Sequence, residues 1–255
     1  MMSDTLWMTQ RRLKALLRQP WFLLFTLIQP VIWLFLFGNL FRRIVELPGF
    51  GASNYLDYLV PGVIVMNAMS SNMWSGMGAL EEIERGTLNR FLITPVRRVA
   101  VLNAGVIEQA LVTVIQSVVI AVLGLAAGAR YPGGAAGVTV LIVASVLLGT
   151  VFSAMSTAVG MLARQRETII ALNTFLLLPL TFLSSAFMAR DLMPAWMRTV
   201  AAFNPVNWAL DTARAALRSG PDWATVATRG GALLALALAM IWLSARTFRS
   251  YQKSV

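Results

Sequence analysis

The chain has 255 residues, of which 58% are hydrophobic and 13% are charged, with a net charge of +10 and a mean hydropathy of +0.70. A soluble domain carries about 25% charged residues, so this composition indicates a protein built for a lipid bilayer. The chain contains neither Cys nor His, which excludes thiol chemistry and His-based catalytic triads within it. It also lacks a Walker A phosphate loop, so the sequence predicts no ATPase site, no metal site and no catalytic nucleophile.

The predicted elements form one membrane domain over residues 1–255. Residues 5–19 predict an amphipathic helix with a basic face, suited to the membrane surface and closed by Pro20. Six apolar spans follow, each long enough to cross a bilayer, at about 21–41, 58–80, 100–128, 136–162, 168–188 and 230–247. Because the first apolar run has spanning length, we expect it to be a membrane helix and not a cleavable signal. Pro30 predicts a kink in the first span, and Pro61 with Gly62 predicts a bend or a broken first turn in the second.

The basic residues lie beside these spans, which is typical of membrane topology and not of nucleic-acid binding. With the N-terminus in the cytoplasm, thirteen Lys and Arg residues fall on the cytoplasmic side and three in the short outer loops. The long connection at 189–229 holds five more outside, but long loops follow the rule weakly. Both termini are therefore predicted to be cytoplasmic.

One charged segment at 81–90 interrupts the second and third spans, and we predict a short cytoplasmic helix over 81–92. Its acids, Glu81, Glu82 and Glu84, are expected in the first helical turn, where the helix dipole favours negative charge. Two interpretations remain open from composition alone. The segment is either a surface that a partner contacts or a solvated loop with ordinary interfacial charges.

Candidate residues for a translocation path lie on three spans. Met66, Met69, Met73 and Met77 share one face of the second span, interleaved with Asn67 and other small polar residues. Methionine suits varied apolar ligands, yet small polar residues also hold membrane helices together, so both interpretations remain. Glu108 in the third span is either an ionisable group inside the membrane, hence a candidate for gating or helix pairing, or an interfacial residue. Asn173 in the fifth span is expected to donate a hydrogen bond between helices.

The run at 84–97, E-R-G-T-L-N-R-F-L-I-T-P-V-R, resembles the cytoplasmic coupling segment of type-2 ABC exporter permeases, of the daunorubicin-resistance and nodulation-factor subfamilies. Y-L-V-P-G at 58–62 is similar to the opening of their second span. P-A-W at 194–196 and F-N-P-V-N-W at 203–208 resemble the motif after their fifth. An acid and an Arg of that motif correspond to Asp211 and Arg214.

This resemblance implies an all-α polytopic membrane protein with six transmembrane helices, an N-terminal elbow helix at 5–19 and a cytoplasmic coupling helix at 81–92. Short helices at 191–218 would re-enter the outer leaflet, using Pro194, Trp196, Asn204, Pro205, Asp211 and Arg214. The residues implied to contact the ATPase are Glu81, Glu82, Glu84, Arg85, Gly86, Thr87, Leu88, Arg90, Thr94 and Pro95.

The implied function is that of a permease subunit, not itself an enzyme, in the bacterial cytoplasmic membrane. It would pair with a second permease copy or a homologous permease, and two separate ABC ATPase subunits would bind ATP and Mg²⁺, while this chain binds no cofactor. The substrate would be a drug-like compound, lipid or glycolipid moved outward by alternating access. The alternative is a motor-independent secondary transporter or a membrane scaffold, and the former would need several charged residues deep in the membrane.

Overall fold

A computed structural model describes the backbone at residues 20–46, 54–84 and 98–253, and this part of the chain contains helices and no strand. The predicted elbow helix at 5–19 and residues 85–92 of the predicted coupling helix lie outside the described residues. Two short 3-10 helices lie at Arg42–Glu46 and Arg190–Leu192. The α-helices are α1 Pro20–Leu40, α2 Tyr55–Asn72, α3 Ser75–Glu84, α4 Arg98–Ala126, α5 Gly134–Ala163, α6 Arg166–Phe182, α7 Ala195–Phe203, α8 Pro205–Leu217 and α9 Trp223–Lys253.

Three helical segments in the described part of the chain are long and apolar enough to cross a membrane. They are Gly105–Ala126 in α4, Gly134–Ala163 in α5 and Trp223–Thr247 in α9. A shorter apolar stretch, Leu27–Leu40, belongs to α1.

Helix α5 is the centre of the bundle, because α2, α3, α4, α6, α8 and α9 all pack against it. Its Leu141 and Leu148 are fully buried in the main hydrophobic core. Small residues let its neighbours approach closely, as is usual between membrane helices. A Cβ at Gly149 would meet the Asn72 amide at 2.7 Å, and one at Gly160 would meet the Gly76 carbonyl at 2.8 Å.

The two ends of the bundle are distinct. At one end, which we name the Gly128 end, the amide of Asn54 donates to the Gly128 carbonyl at 3.2 Å. At this end the backbone N–H of Gly133 also donates to the Leu217 carbonyl at 2.9 Å, which joins the turn before α5 to the end of α8. At the opposite end, the Glu84 end, the last residue of α3 forms an ion pair with Arg166, the first residue of α6.

The predicted second span at 58–80 is two helices in the structure, α2 and α3, separated by a turn at Met73 and Trp74. Pro61 lies inside α2 and is buried, so the predicted break near this proline is not where the helix is interrupted. The break instead falls where two side chains from other helices bind the Met73 carbonyl oxygen.

The position of the acids of the charged segment within their helix also differs from the prediction. Glu81, Glu82 and Glu84 lie in the last turn of α3, whereas the sequence predicted them in the first turn of a new helix. The carbonyl end of a helix disfavours negative charge, and Arg166 offsets this at Glu84.

Helix α6 ends at Phe182, earlier than the predicted end of the fifth span at 188, and residues 183–189 are irregular. The side-chain amide of Asn204 donates to the carbonyls of Leu180 at 2.9 Å and Leu183 at 3.0 Å, which satisfies acceptors that the helix end leaves open. Helix α9 begins at Trp223, before the predicted start at 230, because Asp222 accepts from the backbone N–H of Thr225 at 3.1 Å.

Candidate functional site

The break between α2 and α3 is a junction of four helices. The Met73 carbonyl accepts hydrogen bonds from the Asn173 side-chain amide on α6, at 2.8 Å, and from the Ser156 hydroxyl on α5. The Ser156 hydroxyl in turn accepts from the backbone N–H of Gly76 at 3.1 Å. A Cβ at Gly76 would clash with the Ser156 carbonyl, so only glycine fits where α3 begins. The junction therefore fixes the start of α3 against α5 and α6.

The small polar residues of α2 form hydrogen bonds to α4. The Asn67 amide donates to the Gln116 side chain at 2.9 Å, and the Asn72 amide donates to the Thr113 hydroxyl at 2.9 Å. Asn72, Thr113 and Gln116 are buried. These bonds join α2 to α4 in the way that polar side chains hold membrane helices together.

The methionine face of the second span divides between core and partly open positions. Met69 and Met73 are buried in the hydrophobic core, whereas Met66 and Met77 are partly exposed. Packing is thus the role that the described contacts give to Met69 and Met73. A role of Met66 and Met77 in a translocation path stays a prediction.

Glu108 lies on α4, four residues into the segment Gly105–Ala126, and is partly exposed. Asn173 is 2% exposed, and its side-chain oxygen Oδ1 has no hydrogen-bond partner in the described part of the chain. Its amide binds Met73 across helices, as the sequence led us to expect.

At the Glu84 end, the ion pair is formed by exposed side chains. Arg166 donates from Nε to Glu84 Oε1 at 3.3 Å, and a second contact joins Nη2 to Oε2. The hydrogen bond and the charge of Glu84 raise the pKa of Arg166. The pair links the end of α3 to the start of α6. The other residues implied to contact an ATPase, from Arg85 to Pro95, lie outside the described residues, and the Glu82 side chain is likewise not described.

Near the Gly128 end, Arg214 on α8 holds the irregular segment 183–189. Its Nη1 donates to the Ser185 carbonyl at 2.8 Å, and its Nη2 donates to the carbonyls of Tyr58 at 3.2 Å and Ala186 at 3.3 Å. The guanidinium carbon Cζ lies 3.6 Å from the centroid of the Tyr58 ring, which is a cation–π contact. Arg214 therefore connects three parts of the chain that are distant in sequence.

Two tyrosines of α2 bind the same segment. The single O–H of Tyr58 lies within hydrogen-bond distance of the Ser185 and Met188 carbonyls, at 2.5 and 2.7 Å, and the Tyr55 hydroxyl donates to the Phe187 carbonyl at 3.2 Å. Gly62 lies against the Ala186 carbonyl so closely that a Cβ would clash with it. The Y-L-V-P-G run thus provides a docking surface for irregular backbone whose carbonyls at Ser185 and Ala186 accept from side chains.

The F-N-P-V-N-W run builds the turn between α7 and α8. Asn204 caps α8 by accepting from the Val206 N–H at 2.9 Å, and Pro205 occupies the first helical turn. Asn207 accepts from the backbone N–H of Ser185 at 2.7 Å and donates to the Ala201 carbonyl at 2.7 Å. The Trp208 ring N–H donates to the Ala202 carbonyl at 2.8 Å.

Of the remaining predicted residues of this region, Pro194 and Trp196 are exposed and Asp211 is half-buried. Pro194 precedes α7, and Trp196 is 61% exposed. Asp211 does not pair with Arg214 directly; its carboxylate lies 3.9 Å from both Arg190 and Arg229.

Sequence reasoning missed several residues of the Met73 junction, the Glu84 end and the contacts of the 183–189 segment. These residues are Tyr55, Ser156, Arg166, Ser185 and Asn207. Asn207 lies inside the F-N-P-V-N-W run, so its side-chain amide could have been predicted to bind backbone there. Ser156 and Ser185 are single hydroxyls in apolar or small-residue surroundings, and their roles depend on helices far away in sequence.

Together, the apolar helices and the polar junctions between them define a polytopic α-helical membrane protein. Residues 3–217 match the ABC-2 type transporter family, so the chain belongs to that family and is a membrane-embedded transport permease. Membership implies a separate ABC ATPase partner.

Named relatives agree with this assignment. The daunorubicin resistance ABC transporter permease DrrB1 of Streptomyces coeruleorubidus is 28% identical, over 83% of this chain and 74% of the relative. A protein named as transport permease ycf38, from Cyanophora paradoxa, is 29% identical over 81% of this chain and 71% of its own length. The inner membrane transport permease YadH of Escherichia coli is 28% identical over 71% of each chain.

Proposed function

We propose that this chain is the membrane subunit of an ATP-driven exporter that moves a hydrophobic or amphipathic compound outward by alternating access. Two ABC ATPase subunits, which bind ATP and Mg²⁺, would contact the segment 81–92 on the cytoplasmic side. The bacterial inner membrane is the proposed location, with both termini in the cytoplasm, and YadH is named for that membrane. The full arrangement would have six spans, an elbow helix at 5–19 and re-entrant helices at 191–218.

The connection from the Glu84 end to the interior of the bundle is the observation that carries this proposal. Residue 84 ends α3 and begins the run at 84–97 that resembles a coupling segment. The other end of α3 is fixed to α5 and α6 at the Met73 carbonyl. A force on the segment after Glu84 would therefore be transmitted to the break in the second span. At this break, a change in the angle between α2 and α3 disrupts few backbone hydrogen bonds.

The path of the chain near the Gly128 end supports the interpretation of α7 and α8 as re-entrant helices. Helix α8 ends at Leu217, beside the turn at Gly133, while its first residues bind carbonyls at the end of α6. The chain thus goes into the bundle and returns to the same end. Irregular backbone is tolerated at such depth where protein side chains satisfy it, as Arg214 and Asn207 do.

Drug-like compounds are the proposed substrate class, because two relatives are named for resistance to daunorubicin and doxorubicin. The partly exposed Met66 and Met77, with Asn67, would offer an adaptable surface to such molecules. Lipids and glycolipids are the competing class. Stimulation of ATPase activity by each class, measured in the same reconstituted complex, would decide between them.

The proposed function is tested by reconstituting this chain with its partner ABC ATPase. We expect ATP-dependent efflux of a fluorescent anthracycline from vesicles, and loss of efflux when the ATPase carries an inactivated Walker A lysine. The chain without the ATPase is the control for passive leakage. Efflux that persists without ATP and follows an ion gradient would support the secondary transporter instead.

A further inference from the structure

The outward face of α9 carries a stripe of exposed side chains that ends in an arginine. Leu233 and Ala237 are buried where α9 packs on α5 and α8. Leu238 and Trp242 lie on the opposite side of the helix and are exposed, and Arg246, one turn further along, is exposed as well. Residues four apart share a helix face, so Leu238, Trp242 and Arg246 form one surface, which we name the α9 stripe.

Two exposed tryptophans indicate the depth of α9 in the membrane. Trp223 is the first residue of the helix, and Trp242 follows 19 residues later. That length of α-helix rises about 29 Å, and the hydrocarbon core of a bilayer is about 30 Å thick. Tryptophan is enriched at both membrane–water interfaces, so the two rings match the two boundaries of that core. Arg246 lies one turn, about 6 Å, beyond Trp242 and therefore at the level of the lipid headgroups.

No carboxylate pairs with Arg246 within the described part of the chain, although arginine stays charged at physiological pH. The sequence has no Asp or Glu from Trp223 to Val255, and none in α5, on which α9 packs. The acid of α8, Asp211, lies near the opposite end of α9, beside Arg229. An anion that pairs with Arg246 must therefore come from outside these helices.

The position of the Arg246 guanidinium favours a lipid over a soluble anion. Its carbon Cζ lies 5.4 Å from the centroid of the Trp242 ring, which is within the range of a cation–π contact. The side chain thus bends back along the α9 stripe toward the membrane, in the direction in which helical side chains point. Leu238 lies eight residues before Arg246, about 12 Å along the helix axis, which is within the depth of one leaflet. A lipid with an acyl chain along Leu238 would therefore place its phosphate beside the guanidinium.

We propose that the α9 stripe binds an anionic phospholipid, with the phosphate on Arg246 and an acyl chain along Trp242 and Leu238. A guanidinium matches phosphate geometry with parallel N–H donors. The sequence has two more basic residues and no acid within the next seven positions, Arg249 and Lys253, which favours an anionic over a zwitterionic headgroup. The site depends on the protein being in a membrane and not on the export proposal. The naming of this leaflet as the cytoplasmic one rests on the proposed orientation.

The test uses the purified full chain in phosphatidylcholine nanodiscs and two photoactivatable lipids with the same diazirine on one acyl chain. One probe has a phosphatidylglycerol headgroup and the other a phosphatidylcholine headgroup, and mass spectrometry maps the residues that each probe labels. At residues 238–246 we expect about fivefold more labelling by the phosphatidylglycerol probe, because one arginine at a membrane surface attracts anionic lipid by about that factor. Arg246→Gln should bring the ratio of the two labels close to one.

Three further variants separate the α9 stripe from general surface charge. Arg246→Lys keeps the charge but loses the planar fork, so it should keep part of the preference. Trp242→Leu removes the ring that holds the guanidinium over the stripe and should lower the ratio about twofold. Arg164→Gln, at an exposed arginine of the Glu84 end outside the stripe, is the matched control and should leave the ratio unchanged.

Several outcomes would overturn the proposal. Equal labelling by the two probes in the unmodified chain would mean that the stripe has no headgroup preference. The same fall of the ratio in Arg164→Gln would indicate general surface charge. Absence of both labels from residues 238–246 would mean that protein, such as a second copy of this chain, covers the stripe. Loss of the preference in millimolar inorganic phosphate would identify a free anion as the ligand.

A competition measurement on the unmodified chain keeps the proposal testable if Arg246→Gln fails to fold. Replacing part of the phosphatidylcholine by unlabelled phosphatidylglycerol should reduce labelling of residues 238–246 by the phosphatidylglycerol probe, whereas replacing it by phosphatidylethanolamine should not. Equal competition by both lipids would contradict the proposal. No ATPase or substrate takes part in these measurements. A negative result here would leave the proposed export function standing, and a failure of export would leave this site standing.

Discussion

Arg214 and Gly62 determine, at the scale of single residues, how an irregular segment is held in a membrane bundle. Residues 183–189 form no regular helix, so their carbonyls need donors from elsewhere. Arg214 supplies several donors in a planar fork, and its ring contact with Tyr58 fixes the plane of that fork. Gly62 contributes by having no side chain at the point of closest approach.

Replacing Arg214 by Lys should destabilise the protein although the charge is kept. A single ammonium cannot reach the carbonyls of Ser185, Ala186 and Tyr58 together, and an unsatisfied buried acceptor costs about 1–3 kcal/mol. Thermal unfolding followed by tryptophan fluorescence in detergent measures the change. Arg218→Lys, at an exposed position four residues on, is the control and should have little effect. Equal unfolding temperatures for both variants would contradict this role of Arg214.

Gly62→Ala should destabilise α2 against the 183–189 segment, because the new methyl group clashes with the Ala186 carbonyl. Overpacking of this kind costs about 1–3 kcal/mol, because a backbone carbonyl cannot move aside as a flexible side chain can. Gly78→Ala adds the same methyl group to α3 in open space, where alanine gains about 1 kcal/mol of helix propensity. The same unfolding measurement should therefore move in opposite directions for the two variants. A tolerated Gly62→Ala would show that the segment can shift.

At the scale of elements, the break between α2 and α3 is the main departure from a simple bundle of spans. Upstream of the break, α2 is bonded to α4 through Asn67 and Asn72. Downstream, α3 is held by α5 and α6. Both halves pack on α5, but beside the break the side-chain hydrogen bonds of α2 go to α4, whereas α3 is bonded to α5 and α6. Asn173 lies at the point where the two halves meet.

Asn173→Leu should lower stability modestly and reduce coupling strongly. Hydrogen bonds between membrane helices average about 0.6 kcal/mol, so the expected loss of stability is about 1 kcal/mol. We expect substrate-stimulated ATPase activity of the complex to fall severalfold, because α6 no longer holds the Met73 carbonyl. Gln116→Leu removes an amide bond between α2 and α4 away from the break and should lower stability without this loss of stimulation. Identical behaviour of the two variants would leave Asn173 as a packing residue.

Glu84→Arg should weaken assembly with the ATPase, and the question is whether Arg166→Glu rescues it. The two side chains pair in one chain, so the swapped pair restores the internal contact between α3 and α6. If co-purification and efflux recover in the double variant, Glu84 acts through Arg166. If they stay lost, Glu84 contacts the partner. Because the pair is exposed, its direct effect on unfolding should be below about 1 kcal/mol. A Glu84→Arg variant with normal assembly and efflux would contradict both roles.

At the scale of the whole molecule, α6, which the sequence predicts as the fifth span, has the fewest helical neighbours of the predicted spans in the described part of the chain. It packs on α5 and on α3, and it leaves Phe175, Leu178 and Phe182 exposed. Helix α9 exposes an aliphatic face, but it packs extensively on α5 and α8. A second permease copy would therefore find its most open contact surface on α6.

The chain has no native Cys, so single-cysteine cross-linking can test this pairing without background. We expect Phe175→Cys to give a dimer with a flexible bismaleimide reagent in membranes, and Leu238→Cys on α9 to give none. Both positions are exposed, at 74% and 59%, so reagent access does not distinguish them. Cross-linking through Leu238 alone would place the second copy on α9.

Residue patterns in the sequence predicted much of the local structure, and the differences have physical causes. The predicted spans three and four agree within two residues with α4 and α5. A long apolar run crosses lipid as a helix, because a helix satisfies its own backbone hydrogen bonds. The position of the break in the second span was not predictable, since Ser156 and Asn173 lie about 80 and 100 residues further along the chain. Pro61 gave a stronger local signal but lies within α2 without interrupting it.

The sequence by itself determined a helical membrane permease and the runs at 58–62, 84–97 and 203–208 that mark its family. These follow from hydropathy, residue type and short spacing, which are local properties of the chain. Only the tertiary structure decided that Arg214 holds backbone, that Asp211 lies between Arg190 and Arg229, and that Glu84 pairs with Arg166. Each of these joins elements distant in sequence, and such partners are chosen by helix packing, which no local pattern encodes.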